Sequence, residues 1–441
     1  MSNSSPPDNA AAVLQQFARF GVDLGLDRIQ KLLADLGNPH QTVPIVHVAG
    51  TNGKGSVCAY ISAVLTAAGY RVGRYTSPHL ISWHERICIN QQPISEAALR
   101  ACLQQVLAAI APDAPTPTQF EVITAAAWVH FAEQKVDIAV MEVGLGGRLD
   151  ATNVCDRPLV SVITPISREH WQRLGPTVAK IAGEKAGILK QSCPAVIAPQ
   201  QPEAAQVIAN RLKSLNCPAI WIDPARLLDA DRLNVSTPLG TVEYAIQLLG
   251  DHQRVNSAAA IAALQTLQTQ GWKIPDTAIQ QGMAAAQWSG RLQWVNWSPS
   301  TAAPPLKLLI DGAHNPAAAA ALRPYVEQLL REKKFAPPVT WVMGMLATKD
   351  HREVFEALLR PGDRLFLVPV LGHQFAEPEA LAAIAQTVCP KLSKCQCLAD
   401  LITALGAIAA EQSTPSERPH LTVLCGSLYM IGDFLRQLED A

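Results

Sequence analysis

Short, almost uninterrupted apolar runs alternate along the chain with longer stretches of helical periodicity. Ile45–Ala49 is apolar apart from His47; a glycine-rich turn follows at 50–56, then an alanine-rich helical stretch to Ala68. Comparable apolar runs recur at 71–75, 137–143, 159–164 and 194–198, with helical patterns between them. Strands that are continuously hydrophobic suit a parallel sheet covered on both faces. The stretch 234–249 alternates more and carries a Pro-Leu-Gly turn, which predicts a small antiparallel addition.

The segment 298–305 reads Ser-Pro-Ser-Thr-Ala-Ala-Pro-Pro and can pack little, so it is the expected linker. Beyond it the alternation restarts, with strands predicted at 306–310, 339–343, 364–370, 394–398 and 421–425. The expected organisation is a disordered tail over 1–9, a first domain over 10–297, the linker, and a smaller domain over 306–441. The fold class is α/β, with the smaller domain doubly wound. No repeat of solenoid period is present.

A chain of 441 residues exceeds the size at which single cores stop growing, in keeping with more than one domain. Aromatic residues are only 5% while alanine is abundant, which favours helices packed closely on sheets over a β-sandwich. The formal net charge is -1 with no long basic run, so neither nucleic acid nor a membrane surface is expected as a partner. A small anionic substrate stays open, because a local cationic pocket does not show in a net charge. Ten cysteines are scattered singly apart from Cys395 and Cys397, whose spacing suits a strand better than a zinc site. Residues 1–9 are polar and proline-containing, without the apolar stretch of a leader, and no apolar run is long enough to span a bilayer. A cytoplasmic or stromal location with reduced thiols is expected.

The strongest chemical signal is Gly50-Thr51-Asn52-Gly53-Lys54-Gly55-Ser56 between a strand and a helix. Glycines let backbone N–H groups turn inward around phosphate oxygens, and the helix N-terminus adds a favourable dipole. Lys54 would reach the β- and γ-phosphates, and a nearby hydroxyl would face a metal. The match to the general phosphate loop is imperfect, since Gly55 separates Lys54 from Ser56; the plain alternative is a glycine turn with one exposed lysine. The apolar strand over 137–142 delivers Glu142 to the crevice above a parallel sheet, where it could ligate magnesium beside phosphate oxygens. A flexible segment, Gly144-Leu145-Gly146-Gly147-Arg148-Leu149-Asp150, follows at once. Ser77-Pro78-His79 and His170 occupy comparable strand ends; a lone histidine is otherwise structural, and Lys185 by itself reads as a solvated helix lysine. Asp311-Gly312-Ala313-His314-Asn315-Pro316 opens the second domain, where Asp311 could accept from a ribose hydroxyl and Pro316 suits a first helical turn. Without context it reads as a turn and a cap. Arg291 could bring a guanidinium to a phosphate.

Taken in order, the motifs at 50–56, 77–79, 142–150, 184–187 and 311–316 resemble those of folylpolyglutamate synthases. Bacterial members of that family are often bifunctional with dihydrofolate synthase activity, and they are relatives of the muramyl peptide ligases. The resemblance spans the chain from about Leu24 to its end. It implies a P-loop-type ATPase domain with a mostly parallel sheet, a Rossmann-like C-terminal domain, and an active site between them. It implies ATP contacts from the 50–56 loop, Asn256, Arg291, Asp311 and His314. Ser77, Glu142 and His170 are implied as magnesium ligands, with two ions expected and Lys185 carried as a carbamate. Asp27, Arg28, Ile29, Phe120 and Glu121 are implied to line the pterin-bearing substrate. Where members show Asp-His, this chain has Glu169-His170, then Trp171 where a small polar residue is common; Ser167 and Arg168 also depart from the pattern.

The expected reaction is ATP-dependent addition of L-glutamate to a folate, and to dihydropteroate as well. Lys54, His170 and Lys185 are its catalytic candidates. A monomer is expected. Two other readings are a muramyl peptide ligase and a protein that hydrolyses ATP as a switch. Ser77-Pro78-His79 together with 142–148 favours folate over the first, and 311–316 argues against the second.

Overall fold

The computed structural model describes residues 9–18, 23–113, 115–229, 231–298, 305–412 and 418–439. The chain divides into two compact units. The larger takes the described residues up to Gln247 together with His252–Gln287; the smaller takes Leu248–Asp251 and the described residues from Trp288 onward.

The larger unit is built on an eight-stranded sheet: β1 (Ile45–Ala49), β2 (Val72–Tyr75), β3 (Ile87–Ile89), β4 (Gln92–Pro93), β5 (Ile138–Glu142), β6 (Val160–Ile163), β7 (Ala195–Ile197) and β8 (Ala219–Trp221). Their spatial order is β4-β3-β2-β5-β1-β6-β7-β8. Strands β2, β5, β1, β6, β7 and β8 run parallel, and β3 and β4 add an antiparallel edge. Every residue of β1, β5 and β6 is buried, as the continuous apolar runs predict. The chain goes from β1 to β2, returns to β5, and then moves past β1 to β6. This reversal around β1 marks the crevice where open α/β sheets bind ligands.

On one face, Ile45, Tyr75, Ala139 and Met141 pack with the helices Asp27–Asp35, Glu96–Ala109 and Gln119–Glu133 around the fully buried Trp128. These helices start where a hydroxyl can satisfy an orphan amide: Ser95 accepts from Ala98 N, and Thr118 with Glu121 closes a capping box. A separate antiparallel sheet holds β9 (Arg226–Leu227), β10 (Arg232–Thr237) and β11 (Gly240–Ala245). It is the addition predicted over 234–249, shifted toward the N-terminus.

The smaller unit carries β12 (Gln293–Trp297), β13 (Leu306–Asp311), β14 (Ala336–Met343), β15 (Arg364–Leu367), β16 (Lys394–Cys397) and β17 (His420–Cys425). Their order is β12-β13-β17-β14-β15-β16, parallel except for β12. Cys395 and Cys397 lie on the edge strand β16, the plainer of the two readings of that pair.

Three sequence expectations need revision. Asn9 caps the helix Ala10–Gln15, its Oδ1 accepting from Ala12 N at 2.8 Å, so it is not part of a tail; residues 1–8 lie outside those described. The smaller unit begins at Trp288 and not after 298–305, because β12 pairs antiparallel with β13 and belongs to its sheet. Of that expected linker, 299–304 lie outside the described residues. Lastly, Ile29 is fully buried in the core and presents no surface to a ligand.

Candidate functional site

Between the end of β1 and the helix Lys54–Ala67, Gly53 takes φ 90°. A Cβ here would fall 2.2 Å from Asn256 Oδ1, so both backbone and space demand glycine. The amides of Thr51 and Asn52 donate to the Pro165 carbonyl at 3.1 and 3.4 Å. The Thr51 hydroxyl donates to Ser167 O and accepts from Ser167 N–H, each at 3.1 Å. The loop is thereby held to the segment following β6. No side chain caps the helix. Its first-turn amides, those of Lys54, Gly55 and Ser56, have no intrahelical partner, the arrangement that favours an anion at a helix N-terminus. Asn256 lies buried against the loop, donating to Gln253 Oε1 at 3.1 Å, and Gln253 Nε2 reaches Ser56 Oγ at 3.4 Å.

Lys54 Nζ donates to Thr51 O at 3.1 Å and stands 3.9 Å from Glu142 Oε1. Glu142 ends β5 and pairs in register with Val48 of β1. Its other oxygen accepts from Ser77 N–H at 3.1 Å. Parallel pairing of β2, β5 and β1 therefore brings Ser77, Glu142 and Lys54 together, each from a different strand end.

Lys185 closes the helix Val178–Lys185 and is buried. Its Nζ donates to Gly50 O at 2.7 Å. Burial, and then the nearby Lys54 charge, pull its ammonium down to about 7, against the attraction of Glu169 and Asp150. The glycine segment after Glu142 runs close to it. A Cβ on Gly147 would lie 2.7 Å from Glu184 O and 3.0 Å from Lys185 Cα, and one on Gly144 would lie 2.4 Å from Phe120 Cζ. The segment thus touches the Phe120 ring at Gly144 and the Lys185 backbone at Gly147. His170 adopts φ 51° before the short helix Trp171–Leu174. Its half-exposed ring has Nε2 3.9 Å from Glu169 Oε1.

The expected substrate-side residues divide. Phe120 lies with its ring 6.1 Å from Tyr75. Glu121 is buried, caps its helix with Thr118 and accepts from Arg28 Nε at 3.1 Å, while Arg28 Nη1 pairs with Asp23 at 2.7 Å. Asp27 and Arg28 line a cavity of about 150 Å³ with Leu32, Ile110 and Pro117.

In the smaller unit the pairing Gln293↔Ile310 continues to set Leu292 beside Asp311. Asp311 accepts from the amides of Leu292 and Ala313, both at 2.9 Å. A Cβ on Gly312 would lie 2.9 Å from Arg291 Nη1, so the guanidinium covers that glycine. His314 Nδ1 is 2.7 Å from Gly312 O and carries the proton, since a carbonyl only accepts. Asn315 caps the helix Pro316–Arg331. Arg291, Asp311 and His314 are one cluster.

Three functional features had no assigned role in the sequence: the Pro165 carbonyl that anchors the phosphate loop, and the Glu169 and Asp150 carboxylates that act on Lys185. Glu169 could be suspected as the neighbour of His170, and Asp150 as the end of the glycine segment. Nothing local points to Pro165.

Residues 48–264 match the family described as Mur ligase middle domain, and residues 293–437 match the dihydrofolate synthetase C-terminal domain. The chain is 38% identical over 354 residues to the dihydrofolate synthase/folylpolyglutamate synthase of Bacillus subtilis, covering 77% of this chain and 80% of that one. It is 35% identical to a probable dihydrofolate synthetase of Schizosaccharomyces pombe, covering 95% and 99%. The structure of Escherichia coli FolC in complex with DHPP and ADP superposes with a TM-score of 0.84 at 28% identity, covering 98% of each chain. With its phosphate loop, strand-end carboxylate and buried lysine in place, the chain belongs to the dihydrofolate synthase/folylpolyglutamate synthase family.

Proposed function

We propose that this chain is an ADP-forming ligase that uses ATP to join L-glutamate to the carboxylate of a folate, and of dihydropteroate as well. The larger unit serves as the ATP-binding, Mur-ligase-like domain and the smaller as a Rossmann-like domain. One observation carries the reading: the open amides of the Lys54–Ala67 helix and the Lys54 ammonium stand beside Glu142 at the reversal point of a parallel sheet.

The substrate carboxylate attacks the γ-phosphorus of ATP, and ADP leaves, giving an acyl phosphate. The glutamate amine then attacks the acyl carbon, phosphate leaves, and loss of a proton completes the amide. Lys54 and the first-turn amides offset the charge on the transferred phosphoryl group by position and electrostatics. Gly50, Thr51, Asn52, Gly53, Gly55, Ser56 and Asn256 shape the nucleotide site, and Arg291, Asp311 and His314 are the nucleotide-contacting set of the smaller unit. Asp27, Arg28 and Phe120 line the acceptor, with the buried Glu121 holding Arg28 in place.

The donor set fits magnesium. Among the described residues no three His, Cys, Asp or Glu side chains are grouped as a metal cage. Magnesium favours one or two carboxylates with phosphate oxygens and waters, and Glu142 beside Ser77 offers that. Ser77, Glu142 and His170 would hold the two ions, which when bound supply electrostatic stabilisation to the phosphates. Lys185 is suited to carbamylation: an amine about half neutral near pH 7 adds carbon dioxide and loses a proton. The resulting carboxylate would face the same cations. No helix among the described residues is long and apolar enough to cross a membrane.

The test supplies purified protein with ATP, magnesium and labelled glutamate, offering dihydropteroate and a reduced folate separately. Label in a pterin-containing product, with ADP release that Lys54→Ala abolishes, is expected. Label that never enters such a product with either acceptor refutes the assignment.

A further inference from the structure

Behind the glycine segment lies a polar chain that the reaction leaves unexplained. His47 sits in the middle of β1, fully buried, beside Met141 of β5. Its Nε2 is 2.9 Å from Thr152 Oγ1. Thr152 Oγ1 donates to Asp150 Oδ1 at 2.6 Å, and that oxygen also accepts from Thr152 N–H at 3.0 Å. The other oxygen of Asp150 accepts from Leu145 N–H at 2.8 Å. Thr152 is fully buried and Asp150 nearly so.

The direction of each bond follows from proton counting. The Thr152 hydroxyl has a single hydrogen; with Asp150 ionised that hydrogen goes to the carboxylate, and His47 then donates Nε2–H to Thr152 Oγ1. The imidazole is thereby fixed as one tautomer, with Nδ1 bare; that atom is buried and has no hydrogen-bond partner. Burial also keeps the ring neutral, its pKa lowered to about 3. Apolar side chains could fill this space without desolvating three polar groups, so the chain costs the core something that stability alone does not require. What it does reach is Leu145 N–H, within the segment that touches Phe120 at Gly144 and Lys185 at Gly147.

We propose that His47 and Thr152 are positioning residues, which act through Asp150 to fix the backbone of 144–147 and with it the spacing between Phe120 and Lys185. This rests on the ligase reading above. Thr152→Val keeps the shape and removes the hydroxyl, leaving His47 Nε2–H without an acceptor and Asp150 without its shortest bond. The expected result is a kcat for glutamate ligation lower by about tenfold or more, since misplacement of a reacting geometry by an ångström is enough for such losses. The dissociation constant for ADP should stay within about twofold, because the Thr51 and Asn52 amides of the loop are held by the Pro165 carbonyl, which lies outside this polar chain. Thr152→Ser, which restores the hydroxyl, should recover most of the lost kcat. Two readouts do not use activity. Nitrogen NMR of the wild-type protein should show His47 protonated at Nε2 and bare at Nδ1, and the Leu145 amide should exchange faster in Thr152→Val.

Wild-type kcat in Thr152→Val overturns the proposal, as does an Nδ1–H tautomer. Loss of ADP binding in parallel with kcat also overturns it, since the damage would then be general. If the wild-type chain forms no glutamyl product, the ligase reading falls by itself. The Leu145 amide then decides the positioning chain: faster exchange in the valine variant supports it and unchanged exchange rejects it.

Discussion

Replacing Lys185 with methionine is expected to make the protein more stable near neutral pH while abolishing ligation. The fold lowers this ammonium from 10.5 to about 7. One pKa unit corresponds to about 1.4 kcal/mol, so housing the amine costs the fold on the order of 4 kcal/mol at neutral pH. Methionine escapes that cost but leaves the Gly50 carbonyl without the Nζ donor, a loss of about 1–3 kcal/mol. A net gain of about 1–3 kcal/mol remains, at the expense of the active site. The sign with pH is fixed. Between about pH 7 and 10.5 the unfolded chain holds a proton that the folded chain has released. Wild-type stability therefore rises across that window, by about 2 kcal/mol from pH 7 to 9, and is lowest below it. The variant has no such dependence from this site, so its advantage over the wild type must shrink as pH rises. Denaturant titrations of both proteins in buffer freed of carbon dioxide measure the difference at each pH. Bicarbonate at fixed pH should then stabilise the wild type alone, because only it carries the buried Lys185 amine with its lowered pKa. A stability difference that stays constant from about pH 7 to 9 would refute the reasoning.

Other outcomes follow from single contacts. Gly53→Ala places a methyl 2.2 Å from Asn256 Oδ1 on a backbone at φ 90°, so affinity for ADP should fall by about tenfold or more in titration calorimetry. Asp363→Ala strips the buried Arg323 of a partner at 2.7 Å and Trp341 Nε1 of one at 3.0 Å. Breaking such a buried pair costs about 3–5 kcal/mol, visible as a lower denaturant midpoint; an unchanged midpoint would show the pair to be dispensable.

The central strands were legible because burial on both faces forces a nearly unbroken apolar run. The phosphate loop was legible because its glycines stand where such a run ends. Strand β12 was not. Gln293–Trp297 mixes polar and aromatic residues, is largely half-buried at a sheet edge, and comes just before a proline-rich stretch that looks like a boundary. Its membership depends on pairing with β13 across that stretch, which no local pattern encodes. Asp27, Arg28 and Ile29 adjoin in sequence, yet successive helical residues point in different directions. Ile29 and Leu33 turn into the core while Asp27, Arg28, Lys31 and Leu32 line the cavity. Among site residues, Glu142 follows from strand position. The character of Lys185 depends on the Gly50 carbonyl, far away in sequence, and on burial that exists only after folding.

The interleaving of the two units bears on any genetic dissection of the protein. Leu248–Asp251 belongs to the smaller unit although the chain on either side of it belongs to the larger, and Leu249 packs against the smaller unit's own core. A single proteolytic cut before Trp288 would therefore release a fragment missing part of its packing. A gene for the smaller unit expressed by itself would have to restore that tetrapeptide by fusion, or accept an exposed apolar seat where Leu249 had been.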